Sequence, residues 1–371
     1  MRLTIERSAL LNALGHVQNV VERRTTVPIL SNVLIEARDG VVTFAATDLD
    51  IEIIDGANAD VEQTGTLTLQ AHTFYDIVRK LPDGSQVKLE LAPDSGRVSI
   101  TSGRSRYFLP ILPASDFPSL GNGDFDKSFE IELPALARLI DRTRFAISLE
   151  ETRYYLNGIY LHGANGAAGP CLRAVATDGH RLAQCDYPLP EGANDISGVI
   201  VPRKTILELR RLLESNDEVV EIAVSEAKIR FSVGRATLTS KVIDGTFPDY
   251  ERVIPKENPH LMTVNNDEFS RAVDRVATMA IERLRPIKLG LSSDNLNLTF
   301  SNPETGEASE ELEVAYQGPE MEIGFNAKYL LDIAALINGQ TEFYFRDSAS
   351  PTLVKDASDP NSTFVLMPLR V

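Results

Sequence analysis

Ala46-Thr47-Asp48 returns as Ala176-Thr177-Asp178, and Asp116-Phe117-Pro118 returns as Thr246-Phe247-Pro248. Two unrelated landmarks share one offset of about 130 residues, the signature of an internal repeat that has to be read before any single element. Outward from the first triplet, Ser8 stands where it can cap a helix with Leu10, Leu11, Leu14 and Val17 on one face. Strands are expected at 31–36, 41–46 and 50–54. A second helix carries Phe74, Ile77, Val78 and Leu81, is stopped by Pro82-Asp83-Gly84, and precedes alternating stretches at 87–91, 97–101 and 106–109. The unit is a helix followed by three strands, used twice.

The second copy repeats this order. Pro134 opens a helix with Leu136, Leu139 and Ile140, followed by strands at 158–161, 172–177 and 182–186; Ile206, Leu209 and Leu213 mark another, followed by 219–224, 228–233 and 236–241. A third copy fits less tightly, with Phe269, Ala272, Val273 and Val276, strands at 287–292, 295–301 and 310–316, then Tyr329, Leu330, Ile333 and Ile337 before 341–346, 352–355 and 363–368. The expected fold is α+β: three similar domains at 1–125, 126–254 and 255–371, each with two helices packed on antiparallel sheets. The chain length of 371 residues agrees, at about 100–200 residues per domain.

Lys and Arg number 37 against 53 Asp and Glu, a net charge of -16, which argues against a surface that coats nucleic acid or anionic membrane throughout. The charge is unevenly distributed. Helical windows at 7–24, 72–80, 134–148, 202–214, 268–285 and 326–339 hold 17 basic and 9 acidic residues, a net of +8, leaving -24 elsewhere. This separation suggests one helix-built surface facing a polyanion, with Arg138, Arg142, Arg144, Arg203, Lys204, Arg210 and Arg211 the densest contributors; ordinary solvated helix faces are the alternative. Helices are ~10 Å wide, so six around a circle leave a hole of roughly 9 Å, and twelve leave one near 28 Å. Only the larger passes duplex DNA, whose major groove alone is ~12 Å wide. One chain is then half a ring.

Arg153-Tyr154-Tyr155-Leu156-Asn157-Gly158, Ala176-Thr177-Asp178-Gly179-His180-Arg181-Leu182, Thr239-Ser240-Lys241 leading to Phe247-Pro248-Asp249-Tyr250, and the end Val365-Leu366-Met367-Pro368-Leu369-Arg370-Val371 together resemble the bacterial sliding clamps, the beta subunits of DNA polymerase III. The resemblance runs the full chain. It implies the DNA clamp fold and a head-to-tail homodimeric ring, helices inside and sheets outside, that encircles duplex DNA without sequence specificity. Implied DNA contacts are Arg24, Tyr154 and Tyr155, with His72 and Glu150 at positions that are basic and amide in the family; Arg142, Lys204 and Arg210 join them from the helical windows.

The resemblance also implies a partner-peptide pocket. Arg153, Leu156, Thr177, Gly179, His180, Arg181 and Leu182 match one wall, Pro248, Arg252 and Val253 the floor, and Asn326, Tyr329, Val365, Met367, Pro368 and Leu369 the other side. His180 and Arg181 are expected as rim donors, and Pro351 stands where a hydroxyl residue is familiar. The implied dimer interface joins Arg106, Tyr107 and Leu109 to Thr278 and Met279, and beside Arg97, Arg104 and Arg106 the acidic Glu304 and Glu307 read as the other half of a polar dimer seam. The acidic cluster Glu304, Glu307, Glu310 and Glu311 reads equally as a solvated strand edge. Implied partners are the replicative polymerase catalytic subunit, an ATP-dependent clamp loader, repair polymerases, ligase, mismatch repair proteins and an initiation regulator.

Other readings carry less. Asp178-Gly179-His180-Arg181 looks catalytic, but Asp-Gly is a turn signal and no GxSxG, HExxH or paired-carboxylate motif accompanies it. The Gly163–Gly169 stretch lacks the lysine of a phosphate loop, and His16 and His260 lack metal spacing. No cofactor, metal or catalytic residue is expected. Cys171 and Cys185 have no CxxC spacing and read as buried thiols. No run reaches the ~18 apolar residues of a membrane span, and the polar start fits no secretory signal, so a cytoplasmic protein is expected. Two rivals stand beside the non-enzymatic clamp: an α+β enzyme built on His180 and Asp178, and a repeat-built scaffold that binds proteins without encircling DNA.

Overall fold

The structure, a computed structural model, describes residues 1–91, 96–121, 123–214, 217–280 and 286–370. Its half-units share one pattern, strand–helix–three strands. The first is β1 (Arg2–Glu6), α1 (Arg7–Val17), β2 (Asn32–Arg38), β3 (Val41–Thr47) and β4 (Ile51–Asn58). After the short β5 (Asp60–Gln63) come β6 (Gly65–Gln70), α2 (Ala71–Lys80), β7 (Gln86–Leu91), β8 (Arg97–Ser102) and β9 (Ser105–Pro110). The second repeat supplies β10 (Lys127–Glu132), α3 (Leu133–Thr143), β11 (Gly158–Gly166), β12 (Gly169–Thr177) and β13 (Arg181–Pro188). Its other half is β14 (Val199–Pro202), α4 (Arg203–Leu212), β15 (Val219–Val224), β16 (Lys228–Val233) and β17 (Ala236–Lys241). The third repeat has β18 (His260–Asn265), α5 (Asn266–Ala277), β19 (Pro286–Ser292), β20 (Asn295–Asn302) and β21 (Gly306–Glu313), then the two-residue β22 (Ala315–Tyr316). It closes with β23 (Met321–Asn326), α6 (Ala327–Ala334), β24 (Gln340–Phe345), β25 (Thr352–Asp356) and β26 (Asp359–Leu366).

The leading strand of each half-unit is the element that sequence reading misses. It offers only a short alternation, such as Leu3 and Ile5 or Phe129 and Ile131, and runs into its helix with no turn residue between. The same continuity moves the first helix cap. Glu6, the last residue of β1, accepts from the backbone N–H groups of Ser8 and Ala9 at 2.8 and 3.1 Å, so Glu6 and not Ser8 is the N-cap.

Each leading strand joins the sheet of the other half-unit: β1 pairs β7 and β6 pairs β2. The exchange recurs as β10 with β15 and β14 with β11, then as β18 with β24 and β23 with β19. The helices bury the faces their spacing predicts, for example Leu10, Leu14 and Val17 on α1 and Phe269, Val273 and Val276 on α5. The 7–24 window is shorter than expected: α1 stops at Val17, which leaves Arg23 and Arg24 exposed on a loop. The last five residues of the 268–285 window lie outside the described residues.

Sheets also run on across the repeats. β17 pairs β4 from Thr237↔Ile54 to Ser240↔Ile51, and β13 pairs β26 from Arg181↔Leu366 to Cys185↔Ser362. Backbone N–H and C=O groups at a strand edge pair with any edge of suitable register. The products are an eight-stranded sheet, β10-β15-β16-β17-β4-β3-β2-β6, and a nine-stranded sheet, β14-β11-β12-β13-β26-β25-β24-β18-β22, beside a five-stranded and a four-stranded one. Two compact units result. One comprises Met1–Leu136, Glu191–Ile196 and Lys204–Val242; the other comprises Ala137–Pro190, Ser197–Arg203 and Ile243–Val371. The middle repeat contributes strands to both.

The repeated triplet has a structural cause. Thr47 Oγ1 accepts from Leu49 N at 3.0 Å, and Asp48 Oδ1 accepts from the N–H groups of Asp50 and Ile51 at 2.9 and 2.8 Å. In the second copy Thr177 Oγ1 accepts from Gly179 N at 3.1 Å, and Asp178 Oδ1 from His180 and Arg181 N at 2.9 and 3.0 Å. The residue after the Asp has positive φ both times, 79° at Leu49 and 87° at Gly179. In the third copy Asn302 Oδ1 accepts from Glu304 and Thr305 N at 2.8 and 3.3 Å. An amide oxygen serves this turn as a carboxylate does, which explains why the third triplet is blurred in sequence.

Asp48 additionally holds Lys204 Nζ through its second oxygen. Asp48→Ala is therefore expected to destabilise the chain by about 2 kcal/mol, since it orphans two turn donors. Asp48→Asn should cost less, because it keeps the turn and loses only the cation. Urea unfolding checks the order; equal losses would show that the turn bonds contribute little.

Candidate functional site

The seam between β13 and β26 places Leu182 directly opposite Val365 on one face. Leu156, at the end of the 3-10 turn Glu151–Leu156, packs beside them, and Phe247 and Tyr250 complete a buried apolar cluster with Val175 and Ile200. Above this cluster lies a groove of about 210 Å³, lined by Leu156, Thr177, Gly179, Arg181, Leu182, Pro248, Asp249, Tyr250, Val253, Val365 and Met367. Its base is buried, whereas Val253 and Met367 on the rim are 48% and 39% exposed. Large apolar side chains at that exposure form a surface suited to an apolar ligand. The terminal segment is held in place: Met367 N donates to His180 O at 2.9 Å and Leu369 N to Gly324 O at 2.8 Å. Val365 is thus both core and wall.

Arg181, expected as a rim donor, is a buried keystone. Its guanidinium donates to Asp178 Oδ2 at 3.1 Å, Asp332 Oδ2 at 2.6 Å and Phe145 O at 2.5 Å, and lies 4.2 Å from the centroid of the Tyr329 ring. It is only 7% exposed and lines both the groove and the hollow beside it. His180 and Tyr329 belong to a neighbouring, more polar hollow of about 430 Å³ that also includes Arg144, Ser148, Arg203 and Lys328.

Arg153 pairs with Glu150 at 2.7 Å and Arg252 with Asp249 at 2.6 Å. Asn326 is the buried N-cap of α6, accepting from Lys328 N at 2.9 Å. These three, with Pro368 and Leu369, stand outside the groove lining. Pro351 offers its carbonyl to Asn258 Nδ2 at 2.9 Å. Asp249 and Tyr250 line the groove although only Pro248, Arg252 and Val253 were expected from that stretch. The signal was present in Phe247-Pro248-Asp249-Tyr250, but nothing in the alternation says which of the four faces inward. The Asp178 carboxylate accepts from the N–H groups of His180 and Arg181 and pairs with the Arg181 guanidinium.

Several basic residues expected to face a polyanion are committed inside the chain. Arg142, 15% exposed at its side chain, donates to Leu336 O at 2.5 Å and Asp356 Oδ2 at 3.2 Å and sits 3.4 Å from Asp359. Arg138 reaches Asp359 at 2.5 Å. Lys204 is held by Asp48 and donates to Val20 O at 3.2 Å. His72 joins Gln18 Oε1 and Val21 O through its two ring nitrogens, both at 3.0 Å, bracing α2 against the loop after α1. An amphipathic pattern identifies a polar helix position but not an acid waiting across the fold, so helix periodicity alone overcounts solvent-facing cations. Arg24 is exposed, Arg210 half-buried, and Tyr154, 53% exposed, makes an edge contact with Tyr155 at 5.8 Å.

Among the last strands of the half-units, β9 lies at one edge of the five-stranded sheet and β21 at one edge of the four-stranded one. On and beside β9, Arg104 and Arg106 are exposed, Tyr107 and Leu109 are half-buried, and Phe108 is 58% exposed. Beside β21, Glu304, Glu307 and Thr278 are exposed and Met279 is half-buried. Glu310 is occupied within the chain by Arg275, which lowers its carboxyl below the usual range through that hydrogen bond.

Three family models match consecutive stretches: the N-terminal domain of the DNA polymerase III beta subunit over residues 1–121, its central domain over 130–249 and its C-terminal domain over 251–370. The chain is 57% identical to the beta sliding clamp of Caulobacter vibrioides over 372 residues and 38% identical to that of Escherichia coli K12 over 373, covering 100% of both partners in each case. A solved beta sliding clamp of Caulobacter crescentus superimposes with a TM-score of 0.97 at 57% identity, covering 100% of this chain and 99% of that one. A sliding clamp from Bartonella birtlesii, solved bound to griselimycin, also gives 0.97, at 47% identity and 100% coverage of both chains. With three clamp domains matched in order along the whole chain, it belongs to the bacterial beta sliding clamps, the beta subunits of DNA polymerase III.

Proposed function

We propose that the chain is one half of a homodimeric ring that encircles duplex DNA, slides along it and tethers the replicative polymerase, giving it processivity. The observation that carries the ring is the pattern of seams. Twice within the chain, the last strand of one half-unit pairs with the last strand of another, as β4·β17 and β13·β26. The last strands left are β9 and β21, both at sheet edges. Continuing the same rule, β9 of one copy takes β21 of the next, head to tail, with Arg104 and Arg106 facing Glu304 and Glu307 and with Tyr107, Leu109, Thr278 and Met279 alongside. A heterologous contact of this kind closes into a ring when its rotation permits. In this reading the clamp domains are 1–125, 126–254 and 255–371.

Such a ring holds DNA by topology, so no strong phosphate contact is needed. A net charge of -16 suits sliding, because static phosphate binding would arrest it. Arg24, Tyr154, Tyr155 and Arg210 remain candidate DNA contacts, and no base readout is assigned. The groove receives short apolar peptides from the polymerase, an ATP-driven loader that opens the ring, and repair polymerases, ligase, mismatch repair proteins and an initiation regulator. The chain has no catalytic role in this scheme. No described helix is long and apolar enough to cross a membrane, and a cytoplasmic site of action fits the reading.

Light scattering should give about twice 40.8 kDa, and the loaded protein should stay on nicked circular DNA and be lost on linearisation. Retention that ignores linearisation would favour the scaffold. In calorimetry, Leu156→Lys and Met367→Ala should each weaken a clamp-binding peptide by well over tenfold in an intact dimer, as buried anchors contribute ~2 kcal/mol or more. Full affinity in both variants would make these residues mere core. Arg24→Ala should lower the salt slope of DNA association by about one unit, whereas Arg142→Ala should instead destabilise the fold by about 3 kcal/mol, by stranding buried Asp356. A salt slope unchanged by Arg24→Ala would remove that residue from the DNA contacts.

A further inference from the structure

Three residues form a row across adjacent strands of the nine-stranded sheet. His162 on β11 is directly opposite Arg173 on β12, which is directly opposite Asp186 on β13. Arg173 meets Asp186 with both ends of its fork, Nε to Oδ1 at 2.7 Å and Nη2 to Oδ2 at 2.8 Å. The Gln184 amide, with its oxygen turned inward, accepts from the same guanidinium at 3.2 and 3.3 Å. The remaining nitrogen, Nη1, donates to the hydroxyl of Tyr250 at 3.2 Å and to Glu251 at 3.3 Å.

Tyr250 also lines the groove. Its hydroxyl also lies 3.0 Å from His162 Nε2. His162 Nδ1 is 2.9 Å from the carbonyl oxygen of Gly163, which can only accept, so Nδ1 carries the proton. In the neutral ring Nε2 is then an acceptor, and the Tyr250 hydroxyl completes the chain: it accepts from Arg173 and donates to His162. Stacking fixes the imidazole further, with Tyr160 at 4.4 Å between centroids and Tyr160 in turn stacked on Phe247 at 4.9 Å.

We infer that His162 is a positioning residue of the peptide groove, holding the Tyr250 ring in its binding orientation only while the imidazole is neutral. The inference rests on the groove reading above and adds a pH dependence to it. Protonation makes Nε2 a donor, so the Tyr250 hydroxyl loses its acceptor and a second cation faces Arg173 across one oxygen. The groups facing His162 are Tyr160 on its own strand, Arg173 and Asp186 on the next two, and Tyr250 and Glu251 on the turn above. Asp186 is already occupied by Arg173, and Glu251 is 64% exposed at its side chain, so neither offsets the new charge well. Burial, reinforced by Arg173, holds the imidazole below its usual value. Affinity is therefore full above that lowered value and is lost as pH falls through it.

The test uses the whole dimer and a terminally blocked apolar peptide bearing leucine and phenylalanine side chains, with no group that titrates between about pH 5 and pH 8. Wild-type affinity should fall at least about threefold on acidification across that range. His162→Ala should bind several-fold more weakly at neutral pH with a flat profile; His162→Gln, which can accept from the Tyr250 hydroxyl, should recover most of the loss and remain flat. Tyr250→Phe should also be flat. By nuclear magnetic resonance, peptide should move the His162 titration further to the acid side, by the same factor that acid weakens the peptide. Wild-type pH slopes in either His162 variant, or a His162 titration indifferent to peptide, would overturn the inference alone. Peptide binding indifferent to Leu156→Lys would overturn the groove reading and this inference with it.

Discussion

Everything in this molecule depends on the hydrogen-bonding capacity of strand edges. A half-unit of three strands exposes unpaired N–H and C=O groups on both sides: one solution is a leading strand borrowed from the other half-unit, and the second, met at β4·β17 and β13·β26, is the last strand of another repeat. The second solution creates the site. Leu182 and Val365 are neighbours only because β13 and β26 pair in one register, and a slip of one residue would turn Val365 away and Phe364 toward the groove. Groove geometry is thereby set by sheet continuity at Leu182 and Val365 and completed by the turns that carry Leu156, Gly179, Pro248, Tyr250 and Val253.

Charge is organised around the same frame. Buried cations sit where strands and helices must be locked together: Arg181 between β13 and α6, Arg142 between α3 and the β25–β26 hairpin, Arg173 across β12 and β13. Each satisfies several acceptors at once, as buried guanidinium groups require. Cation-rich helices in an acidic chain therefore do two jobs. Arg24, on the loop after α1, is exposed, while Arg142 in the last turn of α3 and Lys204 in the first turn of α4 anchor the fold.

Much of this was legible beforehand, and the misses share a cause. Helix faces such as Phe269, Ala272, Val273 and Val276 appear in the sequence because a helix carries its periodicity locally. The Thr-Asp turns appear because their hydrogen bonds close within four residues. What stays hidden depends on residues far away: β1 finds its partner more than eighty positions on, at β7, and Arg142 meets Asp356 across two hundred. At the groove, Leu156, Thr177, Gly179, Leu182, Pro248, Val253, Val365 and Met367 come together, while His180 lines the neighbouring hollow and Arg181 is buried by its ion pairs. Only three-dimensional neighbours decide whether a polar side chain next to an apolar groove points out or in.

The exchange of leading strands bears on how the chain is made. β1 is translated before both of its partners, β5 and β7, and β7 follows only after α1, β2–β6 and α2. At bacterial rates of about 5–20 residues per second, roughly 4–17 s pass before the edge offered by β7 exists. The same wait recurs in each repeat, so nascent chains crowded on one message can satisfy one another's edges before their own arrive. Biogenesis, more than the finished structure, is where this architecture is exposed to misassembly, and slow initiation that spaces ribosomes apart would protect it.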